Sequence, residues 1–177
     1  LAGLWAGRQG SLLFWAWLIA VFNLVVVLRT RRDARPLDDV ALLVAQVVLT
    51  AFVGVLLFSE GNMPFTALDP RYVGADGQLT GAAALWGMNA LLEHWAMAIH
   101  PPTLFVGYAG LTVPFAYAIA ALVVNDDSPR WVVRCTPYAV FSWLLLGIGI
   151  GLGAVWAYVV LGWGGYWGWD PVENASL

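Results

Sequence analysis

The sequence predicts an all-α polytopic membrane protein, and three observations carry that expectation. Four apolar runs, at residues 11–28, 40–58, 103–124 and 138–161, contain no charged residue. Each approaches or exceeds the roughly 20 residues that a helix needs to cross the hydrocarbon core. Hydrophobic residues fill 61% of the 177 positions and charged residues 11%, with no lysine, too little polar surface for a soluble domain. The arginines alternate between connections, as they do when the cytoplasmic loops hold the positive charge.

The first run is full length and no small-residue cleavage site follows it, so it reads as a span and not as a signal peptide. It carries Asn23, and the second run carries Gln46. A lone amide in a span is expected to hydrogen-bond a neighbouring helix. Arg29, Arg31, Arg32 and Arg35 crowd the first connection, and Arg130 and Arg134 the third. Those loops are placed in the cytoplasm. The N-terminus, residues 59–99 and the tryptophan-rich end are then external.

The external segment 59–99 divides in two. Glycine, proline and aspartate punctuate residues 59–80, which read as loop. Residues 81–99 lack proline and carry Asn89, Glu93 and His94 among alanine, leucine and tryptophan. They are expected to form an amphipathic helix on the membrane surface. Pro101 suits the first position of the third spanning helix, with His100 at its N-cap. The fourth run holds Gly147, Gly149, Gly151 and Gly153, two overlapping GxxxG patterns that let another backbone approach closely. The external loop 162–177 closes the chain. The chain begins at leucine and stops within the first turn of a predicted helix, so it is expected to be part of a longer membrane protein.

The chemistry concentrates at the external end. Trp163, Trp167 and Trp169 alternate with Gly164, Gly165 and Gly168, beside Tyr166 and below Trp156. Tryptophan is expected at a membrane boundary; interleaved glycine is not required there, and it lets a flat apolar ligand approach the backbone. The stretch therefore reads either as an aromatic belt or as a platform for a flat ligand such as a porphyrin. His100 reads either as a helix-capping histidine or as an axial ligand to haem iron. His94, six residues earlier, faces away from it on a continuous helix and reads as an interfacial polar residue. Asp170, Pro171 and Glu173 form a helix-start signature, and neither carboxylate is assigned an acid–base role. No catalytic residue is identified. Cys135 is the single cysteine, which excludes an internal disulfide and the CxxCH of a c-type cytochrome. A net charge of −3 gives no case for nucleic acid.

The string Trp163-Gly164-Gly165-Tyr166-Trp167-Gly168-Trp169-Asp170-Pro171-Val172-Glu173-Asn174-Ala175-Ser176 closely resembles the tryptophan-rich "WWD" signature of haem-handling membrane proteins in cytochrome c biogenesis. Its ending is similar to the CcmF type, the haem lyase component of a multi-subunit maturation system. Two further segments agree in order: Trp5-Ala6-Gly7-Arg8-Gln9-Gly10-Ser11-Leu12-Leu13-Phe14-Trp15, and His100-Pro101-Pro102-Thr103-Leu104-Phe105-Val106-Gly107-Tyr108-Ala109-Gly110. The chain departs from the family at Asn89-Ala90-Leu91-Leu92-Glu93, where Asn-Pro-Leu-Leu-Gln is usual, and at Arg8-Gln9, where Gln-Glu is frequent. Tyr166 and Gly168 stand where tryptophan and phenylalanine are common, and residues 76–89 form a longer stretch than usual.

The resemblance implies a bacterial inner-membrane protein that receives haem from a periplasmic haem chaperone. It would hold that haem, b-type and transient, between two external histidines and join it to the CxxCH cysteines of an apocytochrome c. Subunits that reduce and present the apocytochrome thiols are the further partners. His100 matches the first external histidine, and Trp163 to Asp170 match the platform. The second external histidine, and two membrane histidines for a separate b-type haem, would lie beyond residue 177. The alternatives are a haem exporter or relay of the CcmC or CcsA kind without ligation activity, and a structural fragment of a transporter.

Overall fold

The computed structural model describes residues 5, 7–65, 69–84, 90, 93–162, 165–169 and 171–176. In chain order the helices are α1 Arg8–Thr30, α2 Pro36–Phe58, α3 Gly81–Ala84, α4 Ala96–Val123, α5 Arg130–Trp156 and α6 Pro171–Ser176. A π-helical turn, Ala157–Leu161, extends α5. The described residues contain no strand, only an isolated bridge between Val73 and Leu79. Four of the helices (α1, α2, α4 and α5) are long and apolar enough to cross a membrane, as the all-α polytopic expectation requires.

The centre of the bundle is α4, which packs against α1, α2 and α5, most extensively against α5. Small residues make this possible: Ala109, Ala116 and Ala120 are buried along α4, and a short side chain lets a neighbouring axis approach. Ile19, Phe22 and Val26 of α1 and Leu37, Ala41 and Ala45 of α2 complete the core. The outward faces are apolar too, with Leu43, Leu122 and Trp143 exposed, the pattern expected when lipid is the solvent.

Close packing of α4 on α5 resolves the glycine repeats. Leu104 and His100 of α4 sit over Gly149 and Gly153, and Leu146 and Ser142 of α5 sit over Gly107 and Gly110. A Cβ on Gly149 would lie 2.5 Å from Leu104 Cδ2, and one on Gly107 2.6 Å from Leu146 Cγ. The order runs in opposite directions along the two helices, so they are antiparallel. Gly147 and Gly151 meet nothing within 4 Å. Only one of the two overlapping patterns is therefore used within the described residues.

The arginine-rich end carries a buried polar cluster. Asp38, 1% exposed, accepts the Tyr117 hydroxyl hydrogen at 2.7 Å on Oδ1 and the Arg35 backbone N–H at 3.1 Å on Oδ2. Arg134 donates to Asp33 at 2.7 Å and approaches Asp38 at 3.6 Å. This joins the α1–α2 connection to α4 and α5.

Three expectations are corrected. Helix α4 begins at Ala96, so His100 is its fifth residue and not its N-cap, and Pro101 lies inside it. The interior proline is tolerated because the carbonyl it leaves unbonded, that of Met97 four residues earlier, accepts the Trp5 indole N–H at 3.0 Å. Consequently residues 96–99 belong to α4 and not to a surface helix. Of that expected helix, 81–84 is helical, while 85–89 and 91–92 lie outside the described residues. Gln46 is exposed, and Asn23, though buried, leaves its amide nitrogen without a partner among the described residues. Among the described residues, neither amide nitrogen bridges to a neighbouring helix.

Candidate functional site

His100 is held on two sides by α5. Its Nδ1 lies 2.8 Å from the Gly149 carbonyl oxygen. A carbonyl can only accept, so Nδ1 carries the proton and the lone pair is left on Nε2. The ring rests on Gly153, where a Cβ would come within 2.5 Å of Cε1 and 3.0 Å of Nδ1. Orientation by a hydrogen bond through the other ring nitrogen is the usual support of a metal-ligating histidine.

A cavity of about 220 Å³ opens beside this ring. His100, Leu104 and Tyr108, spaced four apart on α4, form one wall. Gly153, Ala154, Trp156 and Ala157 form the second, where α5 widens into its π turn. Trp167 and the α6 residues Val172, Glu173 and Ser176 cover the third side. The indole N–H groups of Trp156 and Trp167 are buried without acceptors among the described residues.

Short polar contacts fix the cover. Glu173 accepts the Gly168 backbone N–H at 2.8 Å, and the Asn174 amide donates to the Trp169 carbonyl at 3.1 Å. The Tyr108 and Ser176 hydroxyls are hydrogen-bonded, which joins α4 to α6. Trp169 has φ +59°, a left-handed conformation uncommon for a bulky residue and the kind of local strain that clusters at functional sites. Gly162, at φ +64°, ends the π turn in the same region, where glycine carries no Cβ penalty.

The sequence-predicted site residues divide accordingly. His100, Trp156 and Trp167 share the cavity. Gly165, Tyr166 and Trp169 lie outside it: Tyr166 stacks on Tyr158 with ring centroids 4.5 Å apart, and Trp169 meets Trp167 edge-on at 6.3 Å. Trp163, Gly164 and Asp170 lie outside the described residues. His94 does not line the cavity and accepts the Ala96 backbone N–H on Nδ1 at 3.3 Å, a bond that serves the start of α4. Tyr108, Gly149 and Gly153 were missed by sequence reasoning. The four-residue spacing from His100 points to Tyr108; nothing in the sequence links Gly149 or Gly153 to a residue about 50 positions away.

Residues 5–177 match the family model described as cytochrome C assembly protein. The chain is similar to "Cytochrome c-type biogenesis protein CcmF" of Haemophilus influenzae, 36% identical over all of this chain and 26% of the relative. It is 37% identical to the CcmF of Pseudomonas aeruginosa, over 99% of the chain and 25% of that protein. It is also 37% identical to "Probable cytochrome c-type biogenesis protein NrfE" of Escherichia coli, over 100% of the chain and 30% of that protein. The chain thus spans about a quarter of the length of these relatives. No solved structure matches it significantly. With a matched model and such relatives along its whole length, the chain belongs to the cytochrome c assembly protein family.

Proposed function

We propose that this chain forms part of a haem-handling subunit of the cytochrome c maturation machinery. It holds haem at the His100 end for attachment to the cysteines of an apocytochrome CxxCH. The observation that carries the reading is the His100–Gly149 hydrogen bond, which leaves Nε2 as a lone-pair donor beside an apolar, aromatic-walled cavity. A histidine serving only as a helix cap has no need of a carbonyl on another helix.

The residues fit the group. Trp156, Trp167 and Tyr108 supply flat apolar faces, and His100 supplies the nitrogen that haem iron favours. The two buried indole N–H groups have no acceptor among the described residues, and carboxylate-bearing ligands supply acceptors. At about 220 Å³ the cavity is smaller than sites that enclose a whole drug-sized ligand. The haem would therefore be gripped at one edge and remain open to a second protein. Haem as the substrate brings vinyl groups, across which cysteine thiols add to give thioethers. The chain contributes binding and orientation, which are worth much of such a barrier. The external face of a bacterial inner membrane is the proposed location. A haem chaperone as donor, the apocytochrome with its thiol-reducing subunits as acceptor, and a second b-type haem completed by other parts of the protein belong to the same reading.

The test is haem content, measured as the pyridine haemochrome of detergent-purified protein produced together with its haem donor. Wild type is expected to retain b-type haem, and Trp156→Ala and Trp167→Ala to retain less with unchanged folding. Haem-free wild type, or variants that retain as much as wild type, would overturn the proposal.

A further inference from the structure

At the opposite end of the bundle from His100, a second cavity of about 310 Å³ lies where the N-terminal ends of α2 and α5 converge. Three arginines, Arg35, Arg130 and Arg134, line it together with Leu37, Pro129 and Val133. Arg134 is already matched, by Asp33 at 2.7 Å and by Asp38 at 3.6 Å. Asp38, the one carboxylate in the lining, is buried and is bonded to Tyr117 and the Arg35 backbone. Arg35 and Arg130 form no ion pair among the described residues. Asp126 senses both: its carboxyl is held below the ordinary range chiefly by Ser128 and in smaller part by Arg130 and Arg35. Two guanidinium groups thus stand over an apolar floor without a direct partner.

That floor continues down the lipid-facing side of the bundle. Val133 is 71% exposed, and Val140 and Leu144 are exposed as well. Positions 133, 137, 140 and 144 fall on one helical face. A small soluble anion would satisfy the arginines and leave this track unused; a hydrocarbon chain would use the track and leave the arginines unmatched. We infer that the cavity binds an anionic diacyl phospholipid, its phosphodiester on Arg35 and Arg130 and an acyl chain along the Val133–Leu144 face of α5. Guanidinium groups match phosphate oxygens in charge and in planar geometry. Basic pockets between spanning helices at the arginine-rich side are suited to such headgroups. The site is independent of the haem reading, because no residue is shared between the two cavities.

The experiment is native mass spectrometry of the delipidated protein in detergent, titrated separately with phosphatidylglycerol, phosphatidylcholine and glycerol phosphate. Wild type is expected to bind phosphatidylglycerol ahead of phosphatidylcholine and to be indifferent to glycerol phosphate. The pair Arg35→Gln and Arg130→Gln should lose that preference, by about fivefold for each arginine, whereas Arg71→Gln keeps it. Should the double variant fail to fold, Arg130→Gln alone, at an exposed position without an ion pair among the described residues, carries the same test. Undiminished preference in the arginine variants would overturn the assignment. So would equal binding of the two lipids, and so would displacement of phosphatidylglycerol by glycerol phosphate at comparable concentration, which marks a soluble-anion site.

Discussion

The imidazole of His100 and the carbonyl of Gly149 are hydrogen-bonded at 2.8 Å across the α4–α5 interface. Helix packing and the tautomer of one histidine are therefore a single feature. The ring can lie where it does because Gly153, one turn further along α5, has no side chain.

The first prediction separates the glycines by position. A Cβ at Gly153 would lie 2.5 Å from His100 Cε1, whereas one at Gly151 meets nothing within 4 Å. Gly153→Ala should displace the imidazole and weaken haem retention roughly tenfold or more, the usual scale for losing support behind a metal ligand. Gly151→Ala should leave haem content unchanged and stabilise the helix by about 0.5–1 kcal/mol. Haemochrome content and thermal unfolding in detergent check the pair. Equal effects of the two substitutions would show that glycine matters here only for helix flexibility.

A second prediction concerns the interface itself. Gly107→Ala places its methyl carbon 2.6 Å from Leu146 Cγ, and overpacking of this kind costs about 1–3 kcal/mol. Leu146→Ala in the same chain should restore part of the loss, so the two substitutions are non-additive. Strict additivity in unfolding measurements would place the two residues out of contact.

Tyr117→Phe removes the hydroxyl donor to Asp38, a carboxylate 1% exposed. A buried charged acceptor that loses a donor costs about 1–3 kcal/mol. The variant should unfold at lower temperature while its haem content is unchanged, because the contact lies at the arginine-rich end. A fall in haem content at full stability would contradict this separation of roles.

In the external segment, the Arg71 guanidinium holds the Asp69 carboxyl below its ordinary range, helped by the Arg71 backbone N–H. A lowered carboxyl favours the folded turn above its unfolded pKa of about 3.9, and that contribution is lost as pH falls through the lowered value. Arg71 is exposed and Asp69 partly so, and the effect is local and screened by salt. The Arg71 amide shift should titrate below the ordinary carboxylate range in wild type and stay flat in Asp69→Asn.

Much of the architecture was legible from composition. The uncharged runs 11–28 and 40–58 lie within α1 and α2, while 103–124 passes the end of α4 by one residue and 138–161 continues from α5 into the π turn; a bilayer-length apolar segment has few stable states other than a helix. What the sequence did not reveal depended on distant partners. Pro101 marks a helix start by local rules, yet α4 begins five residues earlier because Trp5 satisfies the freed Met97 carbonyl. The glycine repeat announced close packing without saying against what; His100 and Leu104 are the answer. Of the aromatic platform, Trp156 and Trp167 join His100, while Tyr166 turns to Tyr158, a division that residue type alone does not indicate.

The measurement closest to the central claim is the visible spectrum of the haem-loaded protein, wild type beside His100→Ala, before and after addition of imidazole. With His100 Nε2 as an axial ligand, the variant should lose or shift its Soret and visible bands, and free imidazole should return them toward wild type. A His100→Ala protein with normal haem content and an unaltered spectrum would contradict the account, leaving His100 as a packing residue between α4 and α5.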